Sequence, residues 1–439
     1  MEHAHGIADW ETLLDCLPSD YEELADEYKQ LNRQWPNAKV QDAKTLLRFV
    51  FAHVGADLPL RQTVVAVGEA GGPKLSAVRL HLRMRRAHPY LAALVSRMLP
   101  ASAAVAPERW DGYDLVLTDA SAICGPGAEG TDARLHVVIR VADLRVLQVE
   151  VTGVEGGETL RRFHWERNQL VIGDRGYSNG RGIASVVADG ADALVRFNSA
   201  SMPLVSAASS AEVDVLGWCR ALQGHRATEL DVVTYWRDGR ERRELRGRLI
   251  GIRLPDEDAS SARDWVRREH GANASAEQLE QAGYILLFTT APAGRLPAAR
   301  AVEAYRLRWQ IELQFKRWKS LCRFDRLPNY RDDTIKSWLT GKLLLGLVVD
   351  RIGAQALPTA AHSSQPPTAM ARNPWKLTNL IWAAMLAAVM PIGLNRVVKH
   401  VPQIVAALDA CDSHLEQRQL TLFREHFPAD RNPEPRCKC

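Results

Sequence analysis

No Cys-x-x-Cys pair occurs anywhere in the 439 residues. The seven cysteines, Cys16, Cys124, Cys219, Cys322, Cys411, Cys437 and Cys439, are scattered and odd in number, so neither a zinc site nor a disulfide framework is expected. Cys437-Lys438-Cys439 is too closely spaced for an ordinary structural bridge and reads as a frayed tail. Long apolar runs are missing too. The longest, Leu380 to Leu394, is short for a membrane span and contains Pro391, so a buried helix broken near that proline is expected, with no membrane partner. The opening residues are polar and acidic and lack the pattern of a secretory leader, which suggests a cytoplasmic protein. A strong charge of one sign is also absent. The net charge of +4 permits a polyanionic partner without requiring one.

What is present is more specific. The length suggests two to four domains, and 46% hydrophobic with 25% charged residues suits a globular chain. Charge is unevenly placed. Residues 1–28 hold nine Asp or Glu and no Lys or Arg, whereas residues 74–97 hold six Lys or Arg and no acid. Residues 295–342 hold twelve basic and five acidic residues. Such basic patches are what a nucleic acid would meet, although solvated helix faces produce the same pattern.

Residues 8–100 read as helical. A short helix from Leu60 ends at Gly71-Gly72, and a basic one runs from Lys74 to Arg86 with Arg79, Arg83 and Arg86 on one side. The pair suggests a DNA-binding helix-turn-helix at about 60–88, against the plainer alternative of a three-helix bundle. From residue 110 the period changes. Tyr113–Asp119, Leu135–Val141 and Val146–Thr152 read as an antiparallel meander, Gly156–Trp165 as a helix and Leu170–Asp174 as a fourth strand. A helix over Gly180–Ala188 and a strand over Ala193–Asn198 complete an α/β unit. Val213–Arg220, Glu229–Arg237 and Arg243–Arg253 read as strands of a β-rich insertion, and Tyr284–Thr290 as a buried strand. A single helix is expected from Pro297 to about Cys322. Residues 334–357 and 375–410 read as helices joined by a loop from Thr359 to Asn373.

Asp119 and Asp174 each follow a run of β-forming apolar residues. If the two strands are neighbours, both carboxylates leave the same edge of the sheet. Carboxylate oxygens are the ligands that Mg²⁺ prefers, and two such ions sharing them suit in-line phosphoryl transfer. On the expected helix, Tyr305, Arg308, Glu312 and Lys319 are spaced 3, 4 and 7 apart and fall within an arc of about 60°. Glu312 can complete a metal site, Arg308 and Lys319 can take phosphates, and Tyr305 can donate to a phosphate oxygen. A salt-bridged surface helix would show the same spacing.

Tyr-x2-Arg-x3-Glu-x6-Lys, here Tyr305, Arg308, Glu312 and Lys319, resembles the YREK signature of DDE transposases of the insertion-sequence-four family. Thr118-Asp119 and Gly173-Asp174-Arg175-Gly176-Tyr177 resemble that family's two Asp motifs. Gly130 to His136 and Tyr284 to Thr290 are similar to its adjoining segments, so the likeness runs from about residue 40 to about residue 350. The resemblance implies an α/β, RNase H-like mixed sheet with a β-rich insertion between the second Asp and the Glu. The 138 residues from Asp174 to Glu312 leave room for it. It also implies cut-and-paste transposition, through a DNA hairpin in some members. Asp119, Asp174 and Glu312 would be the catalytic residues and hold two Mg²⁺ ions, with Mn²⁺ able to substitute. Tyr305, Arg308 and Lys319 would contact DNA. In some relatives an insertion Trp stacks on a flipped base, for which Trp218 and Trp236 are the candidates, against packing of the insertion's own core.

The resulting expectation has five parts. Residues 1–108 form a helical DNA-binding region, 109–198 and 284–330 the two halves of the catalytic core, 199–283 the insertion, and 331–439 a helical region assigned to dimerisation. Partners are double-stranded DNA, as terminal inverted repeats and target, and a second copy of the chain in a synaptic complex. A nucleoid-associated location follows. The alternatives are a catalytically inactive, transposase-derived DNA-binding protein and a hydrolase of small phosphoesters with the same two-metal logic.

Overall fold

A computed structural model describes residues 10–31, 39–69, 72–99, 110–125, 130–325, 327, 332–356 and 374–389. The expected loop at 359–373, the break near Pro391, the terminal Cys-Lys-Cys and the first nine residues lie outside them.

The chain opens with helices α1 (Tyr21–Glu27), α2 (Ala43–Gly55), α3 (Leu60–Glu69) and α4 (Ala77–Met98). Asp42 and Ser76 start α2 and α4 by accepting the backbone N–H of Thr45 and Arg79. The basic helix is longer than the sequence pattern suggests. It continues through Pro89, which lies on the exposed side, where a missing ladder bond costs least.

The strands are β1 (Asp114–Ile123), β2 (Ala133–Arg140), β3 (Val146–Thr152), β4 (Gln169–Gly173), β5 (Asp192–Arg196), β6 (Leu204–Ser206), β7 (Thr228–Asp238), β8 (Glu241–Arg253) and β9 (Tyr284–Thr289). They form one nine-stranded, mostly antiparallel sheet in the order β3-β2-β1-β4-β5-β9-β8-β7-β6, with β4 parallel to β1 and β5. The fold is α/β. The expected meander β1-β2-β3 is present. The insertion strands continue the same sheet, because β9 pairs with β5 on one side and β8 on the other.

Helices α5 (Gly180–Ala188), α6 (Val215–Ala221), α7 (Asp256–His270) and α8 (Ala276–Gln281) lie between the strands. Helices α9 (Ala298–Arg306), α10 (Trp309–Leu321), α11 (Asp332–Ala356) and α12 (Pro374–Val389) follow them. One apolar core joins one sheet face, through Leu115, Leu117 and Ile250, to α10 and to the helices before β1 and after the sheet. A second lies on the opposite face around Val116, Val171, Ile183 and Phe288. In the helical layer α11 passes close to α2, since a side chain at Gly341 would stand 3.3 Å from Val50 and Val54. A buried ion pair joins Lys342 to Asp57, and the Lys342 ammonium also donates to the carbonyls of Cys322, at 3.2 Å, and Arg323, at 2.9 Å.

Four expectations are corrected. Val213–Arg220 is not a strand. Asp214 caps Gly217, and Val215, Trp218, Cys219 and Leu222 recur at helical spacing, so α6 forms there. Gly156–Trp165 holds only a 3-10 turn at Leu160–Arg162. The indole of Trp165 turns back to donate to the Leu160 carbonyl, and Asp189 takes the Trp165 N–H, which halts any helix. The strand expected to end at Asp119 runs on to Ile123, paired with β2 throughout. The single helix of 297–322 is two, α9 and α10. The intervening turn is tightened by i to i−3 bonds, among them Leu307 N–H to the Ala304 carbonyl and Arg308 N–H to that of Tyr305. The arc of about 60° therefore does not carry across from Tyr305 to Glu312.

Candidate active site

The parallel pair β1–β4 sets Leu117 opposite Ile172. Two residues further on stand Asp119 and Asp174, so the register brings both carboxylates to one level on adjacent strands. Leu115 and Leu117 face the core shared with α10, and alternation sends Asp119 to that same face. Asp174 ends its strand and caps the turn Arg175–Tyr177 by accepting the Gly176 N–H at 2.8 Å.

Helix α10 packs Ile311, Phe315 and Trp318 into the core and turns its polar side to β1. Arg308 bridges the two elements. Its guanidinium lies 3.5 Å from Asp119 Oδ2 and forms an ion pair with Glu312 Oε1. Lys319 Nζ donates to the Ala122 carbonyl at 3.1 Å, tying the far end of α10 to β1 beyond Asp119. Tyr305 lies on α9, with the Arg308 guanidinium 6.0 Å from its ring centre. The structure thus brings Asp119, Asp174, Arg308 and Glu312 together, and Lys319 beside them.

Burial pushes the Asp119 carboxyl up to about 7; the Asp174 charge adds to the rise and Arg308 opposes it. Burial pulls the Arg308 guanidinium down, yet Tyr305, Glu312, Asp119 and Asp174 together hold it above its ordinary range. A fourth carboxylate, Glu158, was not singled out from the sequence. It lies with Asp174 against the α-carbon of Gly176, and burial, then the Asp174 charge, raises it. Its only sequence signal was an acid following two glycines in a stretch that read as helix.

The basic helix α4 behaves less uniformly. Arg79 and Arg86 are exposed, whereas Arg83 is half-buried and donates to the backbone carbonyl of Gln30. Trp236 lies against Gly180 of α5, 3.4 Å from where a side chain there would begin, and Trp218 covers Gly251. Trp218 thus packs within the insertion's own structure, whereas Trp236 packs between the insertion and α5.

Residues 135–346 match the family described as Transposase DDE domain, a range that includes Asp174 and Glu312. The chain is 30% identical over 361 residues to the putative transposase InsL for insertion sequence element IS186A of Escherichia coli (strain K12), covering 80% of this chain and 95% of that one. The chain belongs to the DDE transposase family. A second relative, the transposase for insertion sequence element IS421 of Escherichia coli, is 30% identical over 362 residues, again 80% of this chain and 95% of the relative. The transposase for element IS231F of Bacillus thuringiensis subsp. israelensis is 41% identical over a shorter stretch of 63 residues, 14% of this chain and 13% of that one. The protein is accordingly a DNA transposase, and DDE transposase domains generally use divalent metal ions. No helix among the described residues of this transposase is long and apolar enough to cross a membrane.

The donor set of the transposase suits such an ion. Asp119 is a buried acid beside a second acid, with Arg308 as its nearby counter-charge, and a hard dication would relieve that repulsion. Among the described residues no three acidic, His or Cys side chains converge into one cluster able to hold an ion. The Arg308 guanidinium stands between Asp119 and Glu312.

Proposed function

We propose that this transposase cuts and joins DNA at a site built from Asp119, Asp174 and Glu312, with two Mg²⁺ ions as the native metals and Mn²⁺ as a working substitute. The observation that carries this reading is the shared level of Asp119 and Asp174 on adjacent parallel strands, facing Glu312 across Arg308. Asp119, Asp174 and Glu312 would hold the metals, which would supply activation of the attacking oxygen and charge stabilisation at the scissile phosphate. The chain supplies the rest. Asp119 and Asp174 present oxygens from a rigid sheet, so the strands need little reorganisation and the movement falls on Arg308. Arg308 leaves its carboxylates for a phosphate, where its planar fork donates two bonds. Lys319 adds a point charge next to β1, and Tyr305 a phenolic donor.

The proposal extends to an RNase H-like catalytic core of the insertion-sequence-four type, with the YREK residues in their family roles, and to the five-part division given above. Its DNA partners are terminal inverted repeats and target duplex. Arg79 and Arg86 of α4 are the exposed contacts in the helix-turn-helix region, and Arg83 joins them by releasing Gln30. A homodimer holds two ends together, and the working location is the nucleoid. The intact acidic set favours this reading over an inactive DNA-binding derivative.

The test is metal-dependent nicking of a duplex carrying the element's ends by the wild-type chain and by Asp119→Ala. The variant is expected to lose cutting while retaining DNA affinity. Cutting at the wild-type rate by that variant would remove Asp119 from the site.

A further inference from the structure

The longest hairpin of the sheet reaches well beyond its neighbours. β6 pairs with β7 only at Val232–Thr234, and β9 pairs with β8 only from Arg248 onward. Residues 235–247 therefore form a two-stranded ribbon whose outer edges carry no further strand. At roughly 3.4 Å per residue, the four steps from Thr234 to Asp238 carry its tip about 14 Å past the last three-strand contact on the β6 side. The turn at Gly239-Arg240 is closed by a glycine with φ +63°.

The ribbon's two faces differ. One carries Trp236, Asp238, Glu241, Arg243 and Leu245. It rests on α5 through Trp236 at Gly180, and its charges are matched, Asp238 with Arg181 at 3.1 Å and Glu241 with Arg243. The other carries Tyr235, Arg237, Arg242, Glu244 and Arg246, three guanidiniums against one carboxylate. Arg237 and Arg242 are direct cross-strand partners. Among the described residues neither has a carboxylate within ion-pair distance, and like charges placed opposite one another destabilise a hairpin. Arg242 lies flat over the Tyr235 ring, 3.8 Å from its centre, which holds its fork in place.

This basic face lies on the same side of the sheet as the candidate active site but toward the opposite strand ends: the registers set Asp119 level with Ile250, and Arg246 and Arg242 stand four and eight residues back along β8. Alternation from Ile250, in the core shared with Leu115 and Leu117, puts Arg242 and Arg246 on the side of the sheet that bears Asp119. At the ribbon's base, Arg248 is buried on this side and donates to the carbonyls of Ala291 and Leu296, in the segment leading into α9.

We infer that residues 235–247 form a DNA-gripping ribbon, with Arg237, Arg242 and Arg246 taking backbone phosphates of the duplex whose strand is cut at the Asp119 site. The inference rests on the transposase reading above. A two-stranded ribbon fits a major groove, and guanidiniums that outnumber the one carboxylate of their face, Glu244, which lies 3.5 Å from Arg246, suit phosphate oxygens. The phosphates would also relieve the Arg237–Arg242 repulsion that the free protein carries.

The test uses the full chain and a duplex of arbitrary sequence, roughly 30 base pairs or three helical turns. Affinity is measured by fluorescence anisotropy from about 50 to about 200 mM salt. The variant Arg237→Ser/Arg242→Ser/Arg246→Ser is expected to lose on the order of 100-fold in affinity and about 2.7 in the salt slope, at about 0.9 per phosphate. It should melt at or above the wild-type temperature, since the like-charged pair is gone. The triple Lys variant, which keeps the charges, should recover most of the affinity. Wild-type affinity and slope in the Ser variant would overturn the ribbon while leaving the transposase site untouched. A loss of affinity that comes with a lowered melting temperature and is not recovered by Lys would overturn it as well, by assigning the arginines to folding. A wild-type chain that binds no duplex at all would overturn the ribbon and the functional reading together.

Discussion

Replacing Arg308 by Gln should make the DNA-free transposase bind divalent metal more tightly while it cuts DNA less well. The guanidinium sits 3.5 Å from Asp119 and ion-pairs with Glu312, so it occupies the electrostatic position a dication would take. At 3.5 Å and an effective dielectric of about 20, one such pair has a gross Coulomb energy of about 5 kcal/mol. Glu312 is 39% exposed, which screens its share, and desolvation offsets much of the remainder. A net competition of about 1–3 kcal/mol is left, or roughly 5- to 150-fold in a metal-binding constant. Mn²⁺ titration followed by calorimetry, with thermal shift as a second readout, measures this in the absence of DNA. The Gln variant should bind Mn²⁺ tighter by that factor and gain more thermal stability from it. Its nicking rate should nevertheless fall, because the phosphate fork is lost. Unchanged or weaker Mn²⁺ binding would refute the reasoning, since it would mean that the guanidinium does not compete for the carboxylates.

Two further outcomes concern stability. Lys342→Met removes a fully buried ammonium, leaves the carbonyls of Cys322 and Arg323 without its donors and leaves Asp57 with only the Arg323 guanidinium at 3.4 Å. Urea unfolding should show a loss of about 3–5 kcal/mol, and a loss under 1 kcal/mol would count against the pair as a tie between α11 and the loop after α2. Asp114 is buried at the start of β1, both its oxygens lack hydrogen-bond partners among the described residues, and burial raises it from 3.8 to about 6. Its folded pKa lies above its unfolded value, so its contribution is fully present below 3.8 and is lost as pH rises through 6. Asp114→Asn should therefore stabilise the chain by about 1–3 kcal/mol near pH 8 and by almost nothing at about pH 3. Equal effects at the two pH values would show that the buried carboxyl is not ionising.

The parts of the site that were legible in the sequence are those set by local pattern. Asp119 and Asp174 announced themselves because each follows a β-forming apolar run, and pairing of the runs placed them together. Glu312 was legible through the likeness of Tyr305, Arg308, Glu312 and Lys319 to the family signature, since the break at Leu307–Arg308 removes the single helix face that their spacing suggests. What stayed hidden depends on tertiary contacts. The turn at Leu307–Arg308 has no proline or glycine to mark it. Arg83 looked like its exposed neighbours until Gln30 folded back against it. Glu158 reaches Asp174 only because the segment after β3 curls instead of coiling. The ribbon was read as two ordinary strands, since nothing local reveals where a neighbouring strand stops.

The position of β9 has a consequence for how the chain is made. β9 closes the outer edge of β5 and the inner edge of β8, yet it begins 88 residues after β5 ends at Arg196. At roughly 5–20 residues per second, a ribosome needs about 4–18 s to deliver it. Through that interval the half-built sheet has an open edge at β5, whose bare N–H and C=O groups are a template for any other extended segment. Asp192 and Arg196, charged at either end of so short a strand, are the guards a growing chain has against pairing with the wrong partner. The order of synthesis also means that Asp119 and Asp174 are made well before Glu312, so the last acid of the proposed site to leave the ribosome is the one carried by α10.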